Sequence, residues 1–243
     1  MTNPVVPKRS GRPRYQVIVN VSQIMVTNYD QLAAELMAVF DGLQDGQKYW
    51  VGLAGAPGSG KSTVAAAIRR RMPQKLTVIP MDGYHYYRNQ LDAMEDPREA
   101  HARRGAPFTF DAQRFVAELR QARRRGAGWF PSFDHAVGDP VENDIELQPG
   151  KQVVLVEGNY LLLEDSPWNA LKADVFDATW FLDVALNECR RRVGERHVEM
   201  GLTRQEAQQR VSSNDGPNAA LVTEVSPSNA SRLIQIEAGR SAT

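Results

Sequence analysis

Cysteine is almost missing from this chain: its 243 residues contain one, Cys189. That excludes an intrachain disulfide and leaves a structural zinc cluster short of thiolates, a composition that fits a reducing, cytoplasmic setting. A charge excess of either sign is missing as well, because Lys plus Arg and Asp plus Glu both total 29. Without net positive charge there is no global field to hold a nucleic acid or an anionic membrane, so the expected partner is a small molecule. Long apolar runs are lacking too. No stretch approaches the roughly 18 consecutive apolar residues of a membrane-spanning helix, and no apolar segment follows the first basic residues as in a leader. Neither membrane insertion nor export is expected.

What the chain does contain is alternation. Residues 1–13 combine three prolines with scattered basic residues and no apolar period, the composition of a disordered tail. Residues 15–26 are apolar enough for a short strand but precede the pattern that opens the domain. Residues 1–24 are therefore expected to be a disordered or non-native extension, with Met25 the natural start and residues 25–243 a single domain. Leu32, Ala33, Leu36, Met37 and Phe40 fall on one helical face that Gly42 closes. Compact apolar strands follow at Tyr49–Ala54, Leu76–Pro80, Val153–Val156, Thr179–Leu182 and Leu233–Ile236, separated by helical segments over 62–72, 90–125, 186–200 and 204–211. Strands alternating with helices predict a three-layer α/β/α fold around a mainly parallel, five-stranded sheet.

Between the first of those strands and its helix lies Gly55-Ala56-Pro57-Gly58-Ser59-Gly60-Lys61-Ser62, which matches G-x-x-x-x-G-K-[ST] without a mismatch, and Thr63 completes the stretch. The glycines let the backbone curl so that successive N–H groups aim inward at phosphate oxygens. The helix that follows adds partial positive charge at its N-terminus. The pattern predicts ATP as cofactor, with Lys61 on the β- and γ-phosphates and the Ser62 hydroxyl on Mg²⁺. The other reading of the segment is a glycine-rich turn, but strand, loop and helix all fall where the motif needs them.

Chemistry also needs carboxylates. Glu157 directly follows the strand Val153–Val156, at the end where such sheets bind ligands, and is the candidate second metal contact; the alternative is an ordinary strand-end charge. Asp82 stands at the end of the preceding strand, facing the same crevice. It is placed to take a proton from a hydroxyl, with a helix cap or a further metal contact as the alternatives.

Several ordered pieces resemble the phosphoribulokinase, uridine kinase and pantothenate kinase family over about residues 47–236. They are AGAPGSGKST (54–63), MDGYHYYR (81–88), GAPFTFDAQRF (105–115), FPSFDH (130–135) and VEGNYLLL (156–163). Within the family the pattern is most similar to the bacterial nucleoside/nucleotide kinase-like proteins known as fructose transport system kinases. The resemblance implies that Asp82 is the catalytic base and that Asp111 and Asp134 hold acceptor hydroxyls, with FPSFDH an acceptor-side loop. It also places Tyr84, His85 and His135 at the substrate. Asp111 is equally suited to cap the helix Ala112–Arg125, and His135 to pair with a neighbouring loop residue.

Residues 187–197 hold four arginines, of which Arg192 and Arg196 share a helical face. A mobile helix bearing guanidinium groups stabilises the charge of phosphoryl transfer while excluding water. The family likewise has its lid here, at about 186–211. The competing account is a solvated basic face, with Arg190 and Arg191 its more natural members. The run Asn214-Asp215-Gly216-Pro217-Asn218 has turn chemistry, and the family's similar segment lies near the adenine, which makes Asn218 a candidate base contact. Cys189 is expected to pack.

These features together predict an ATP- and Mg²⁺-dependent kinase acting on a hydroxyl of a small metabolite, compatible with a homodimer. The acceptor is left open. Tyr84, Tyr86, Tyr87, Phe108, Phe110 and Phe133 offer an aromatic wall for a nucleoside, whereas Asp111, Asp134, His135 and Arg88 offer hydrogen bonds for a sugar. The alternative from another class is a nucleotide-binding regulatory or transporter-associated protein that keeps the P-loop without kinase turnover.

Overall fold

A capping box opens the first helix: Gln31 N–H donates to Asn28 Oδ1 at 2.9 Å and Asn28 N–H to Gln31 Oε1 at 3.1 Å. The computed structural model describes residues 24–134 and 137–237. Its elements run β1 (Ile24–Thr27), α1 (Tyr29–Gly42), β2 (Lys48–Ala54), α2 (Lys61–Arg71), β3 (Leu76–Pro80), α3 (Arg88–Leu91), α4 (Pro97–Ala102) and α5 (Ala112–Arg125). They continue β4 (Gly128–Asp134), β5 (Asp139–Leu147), β6 (Gln152–Gly158), α6 (Asn169–Asp174), β7 (Ala178–Leu182), α7 (Leu186–Glu199), α8 (Arg204–Arg210), α9 (Gly216–Asn229) and β8 (Arg232–Ile236). A 3₁₀ turn at Met81–Tyr84 follows β3, and a π-helical turn at Val211–Asp215 joins α8 to α9.

The central sheet has six strands in the order β1-β8-β7-β2-β6-β3, every neighbouring pair parallel. The expected count of five omitted β1, which pairs with β8 from Ile24 opposite Leu233 to Thr27 opposite Ile236. β1 is an edge strand, and Ile24 and Val26 stay 48% and 58% exposed. The apolar stretch 15–26 reads as a possible short strand, but the exposure of Ile24, Met25 and Val26 gives no sign that it joins the sheet.

Strand β6 is buried along its whole length, and its side chains alternate between two cores, as a pleated strand covered on both faces must. Val154 and Val156 join Trp50, Ile79, Phe115, Leu119 and Val222 on the α5 and α9 side. Val153 and Leu155 join Val51, Leu53, Leu32, Leu36, Val64 and Ile68 on the α1 and α2 side. Two apolar layers flanking one sheet make the three-layer α/β/α arrangement; each fully buried Val or Leu contributes about 1.5–3 kcal/mol.

Two segments differ from expectation. FPSFDH is not simply a loop: residues 130–134 belong to β4, which pairs antiparallel with β5 in a separate hairpin. Its backbone lies directly on the Met81–Tyr84 turn, where a Cβ on Gly83 would meet the Pro131 carbonyl oxygen at 2.3 Å. The run Asn214–Asn218 is also not a turn. It passes from the π-helical segment straight into α9, with Pro217 the second residue of that helix.

Candidate functional site

The phosphate loop leaves β2 at Ala54 and enters α2 at Lys61. Gly58 and Gly60 have φ of +81° and +95°, the left-handed region that a side chain disfavours. Gly55 is crowded differently: a Cβ there would meet Ser59 Oγ at 2.7 Å. Ser59 Oγ is itself buried with no hydrogen-bond partner among the described residues. A curled backbone opening a helix N-terminus, with a buried hydroxyl left over, fits a phosphate group.

Register then gathers the charged groups. Leu53 and Pro80 both lie opposite Glu157, so the ends of β2, β3 and β6 meet at one place. Ser62 Oγ donates to Glu157 Oε1 at 2.9 Å, joining the two residues expected to hold Mg²⁺. Lys61 Nζ donates to the Ala56 carbonyl at 3.1 Å and to Asn159 Oδ1 at 2.8 Å. Burial lowers the Lys61 pKa, opposed by the charges of Glu157 and Asp82. Burial raises that of Glu157, opposed by Lys61 and reinforced by Asp82. Gly158 is small because a Cβ would strike Met81 Cβ at 2.5 Å; that contact lets the Asp82 turn pack against Glu157.

The acceptor side is built on the same turn. His85 Nδ1 lies 2.9 Å from the Asp82 carbonyl oxygen, and its ring contacts Phe110 at 4.0 Å and Phe133 at 4.9 Å. Asp111 accepts from Arg114 N–H at 3.0 Å as the N-cap of α5, the capping role that its position suggested. Asp134 accepts from Val137 N–H at the hairpin tip at 3.2 Å. His135 lies outside the described residues. Tyr84 is not at a substrate surface: its ring is 1% exposed, packed on Phe115, and its hydroxyl donates to Glu118 at 2.6 Å. Polarity at the tip of a tyrosine conceals such burial in a sequence.

The arginine helix α7 lies on the phosphate loop. A Cβ at Gly58 would meet the Cys189 carbonyl oxygen at 2.4 Å and Val193 Cγ2 at 2.8 Å, so Cys189 packs as expected. Arg192 Nη1 donates to the Ser59 carbonyl at 3.4 Å and its Nε to Glu188 at 2.7 Å. Arg196 lies close enough to Lys61 for its charge to be felt. Arg191 instead pairs with Glu188 and Glu195 on the solvent side.

Sequence reasoning missed three contributors. Asn159 holds Lys61. Tyr160 donates to the Gly105 carbonyl at 2.5 Å, and Asn214 Nδ2 donates to the Arg104 carbonyl at 2.8 Å; together they tie the 103–105 segment to the site. Asn218 is 3% exposed and donates to Asn214 Oδ1 at 3.1 Å, an interior brace within α9 rather than a turn residue. The signal for Asn159 and Tyr160 was their place in VEGNYLLL, directly after Glu157.

No family model matches the chain. Protein C227.14 of Schizosaccharomyces pombe, provisionally named a uridine kinase, is 38% identical over 206 residues, 81% of this chain and 86% of its own length. The chain belongs to the uridine kinase-like P-loop kinases. In that family, a solved structure from Silicibacter sp. TM1040, provisionally named a fructose transport system kinase, shares 33% identity with a TM-score of 0.69, covering 84% of this chain and 98% of that one. YFH7 of Saccharomyces cerevisiae superposes with a TM-score of 0.70 over 86% of this chain and 99% of its own, at 18% identity, a likeness of fold. Membership carries kinase-type, ATP-binding chemistry with it. Among the described residues no helix is long and apolar enough to cross a membrane.

Proposed function

We propose that the protein transfers the γ-phosphoryl group of Mg·ATP to a hydroxyl of a small metabolite. The observation that carries this is the convergence of Lys61, the Ser62–Glu157 contact and Asp82 at the ends of three adjacent strands. ATP, when bound, supplies the phosphoryl group and its Mg²⁺ the charge that neutralises the oxygens around it. The loop 55–60 and Lys61 would hold the phosphates. Ser62 and Glu157 offer the metal a hydroxyl and a carboxylate, leaving other positions to phosphate oxygens and water.

Asp82 accepts the proton of the acceptor hydroxyl as its oxygen bonds to phosphorus and the bond from phosphorus to the ADP oxygen breaks. Arg192 and Arg196, on the helix that rests on the loop, place guanidinium charge over the same crevice and keep water out. Asp111, serving as a helix cap, and Asp134, at the hairpin tip, border the acceptor side. A cytoplasmic location accords with the near absence of cysteine.

The test is ADP release from Mg·ATP across nucleosides, sugars, sugar phosphates and hydroxy acids, with Asp82→Asn alongside. One acceptor should raise turnover well above the water background, and Asp82→Asn should lower kcat by about 10²–10⁴-fold with nucleotide binding retained. Tight nucleotide binding with no acceptor response in any class would sink the proposal and favour a nucleotide-driven regulator.

A further inference from the structure

Helix α7 is held on two sides. One face rests on the phosphate loop, through the Cys189 carbonyl and Val193 at Gly58 and the bond from Arg192 to the Ser59 carbonyl. Arg190, Gly194 and His197 are spaced four and three residues apart and so share another face, which meets the π-helical turn Val211–Asp215 and the start of α9. A Cβ at Gly194 would lie 3.7 Å from Val211 Cγ2, and one at Gly216 would lie 3.4 Å from Arg190 Nε. His197 Nε2 is 2.8 Å from Asp215 Oδ2, with both side chains largely enclosed, 12% and 15% exposed. Asp215 makes no side-chain cap bond to α9, so its carboxylate is directed at α7 rather than at its own helix.

The preceding residue of the same turn faces another way. Asn214 is 1% exposed. Its Nδ2 donates to the Arg104 carbonyl at 2.8 Å, and its Oδ1 accepts from Arg103 Nε at 3.3 Å and from Asn218 Nδ2 at 3.1 Å. Those bonds hold the segment that leads into the acceptor side, where Tyr86 N–H donates to the Thr109 carbonyl at 3.0 Å and Asp111 N–H to the Tyr84 carbonyl at 2.8 Å. The same segment reaches back to the nucleotide side: the Gly105 carbonyl accepts from Tyr160, whose neighbour Asn159 holds Lys61. π-Helical turns are rare and occur mostly as single turns at functional sites. In this one, consecutive side chains grip the arginine helix and the acceptor-side segment.

We propose that His197, Asp215 and Asn214 are positioning residues: the π-helical turn fixes α7 to the segment 103–111, so that Arg192 and Arg196 reach the transferring phosphoryl group only when the acceptor side is in place. This rests on the phosphotransferase reading above. Among the described residues, none of the side-chain bonds of these three goes to the phosphate loop, Lys61 or Asp82. Their loss should therefore spare nucleotide binding and fall on the chemical step, where a misplacement of about 1 Å can cost about 10²-fold.

Two experiments test the connection. With the acceptor that the panel identifies, Asp215→Ala and His197→Ala should each lower kcat about 10- to 100-fold while KM for ATP stays within about 2-fold. His197→Gln, which keeps a donor for Asp215, should recover part of the loss. Unchanged kcat, a Gln variant as poor as the Ala one, or a loss accounted for by the unfolded fraction at the assay temperature would overturn the proposal. The second experiment needs no turnover: hydrogen exchange of the full chain with a non-hydrolysable Mg·ATP analogue bound. Asn214→Ala, whose bonds go to 103–104 and α9 and not to α7, should speed exchange in α7 as well as in 103–105, while α1, on the other face of the sheet from α9, keeps its wild-type rate. Asn214→Asp, which keeps the size but loses the donor to the Arg104 carbonyl, takes its place if the Ala variant does not fold. Faster exchange confined to 103–105, or spread evenly over every helix, refutes the connection. Faster exchange in α7 together with a wild type that answers to no acceptor supports the connection and places the failure in the phosphotransferase reading.

Discussion

Gly58 is where the phosphate loop touches the arginine helix, and Gly58→Ala should disturb both. Its φ of +81° costs a side chain about 1–2 kcal/mol, of which the stiffer unfolded chain returns about 0.4–1 kcal/mol. The new Cβ would lie 2.4 Å from the Cys189 carbonyl oxygen, where ordinary contact begins at 3.4 Å, so α7 must retreat by about 1 Å. Backbone cannot rotate away as a flexible side chain does, and such crowding adds about 1–3 kcal/mol. Gly126→Ala is the control, with φ of +73° and nothing within 4 Å of a Cβ. Denaturant titration should show Gly126→Ala losing about 1 kcal/mol and Gly58→Ala about 2–4 kcal/mol, each kcal/mol lowering the melting temperature by about 2–4 °C. Because α7 carries Arg192 and Arg196, a retreat of that size should also lower turnover by up to about 10²-fold, with faster hydrogen exchange in α7. Equal stability losses in the two variants, with turnover intact, would refute the packing of α7 on the loop as a constraint.

Other consequences follow from burial. Glu157 has a folded pKa raised above its ordinary 4.5, so the folded state holds its proton longer than the unfolded chain and stability declines as pH rises from 4.5 toward the raised value. Glu157→Gln lacks that decline, so its stability relative to nucleotide-free wild type should improve across this window; a pH-independent difference in denaturation midpoints would exclude the effect. Tyr84→Phe removes an interior hydroxyl from Glu118, which keeps Arg114 at 2.8 Å; it should cost about 1 kcal/mol of stability and leave acceptor KM unchanged, whereas a raised KM would return Tyr84 to the substrate. Asp111→Ala should destabilise by about 1 kcal/mol through the lost α5 cap, and a kcat loss beyond what that explains would show contact with substrate.

The phosphate loop, Glu157 at its strand end and the strands β2, β3, β6, β7 and β8 were legible because each is local: a motif of adjacent residues, or a compact apolar run. The α5 cap at Asp111 was legible for the same reason, its acceptor and donor being three residues apart. The place of the sixth strand was not: residues 15–26 read as a possible short strand ahead of the domain, and β1 joins the sheet through hydrogen bonds with β8, some two hundred residues away in the chain. Asn214–Asn218 read as a turn because Asn, Asp, Gly and Pro favour one locally. Asn218 donates to Asn214 and Asn214 to the Arg104 carbonyl instead, and burial there favours helix. Tyr84 was expected at the substrate and lies inside, packed on Phe115 with its hydroxyl bonded to Glu118 on α5.

By itself, then, the sequence determined the kinase class, the nucleotide-binding loop and the order of the sheet's building blocks, because spacing along the chain encodes helix, strand and phosphate loop directly. Which charges meet was decided only in three dimensions. Glu157 at the end of β6 reaches Ser62 on α2, and Arg192 on α7 reaches the Ser59 carbonyl of the phosphate loop. Electrostatic energy depends on distance through space, which sequence separation does not report.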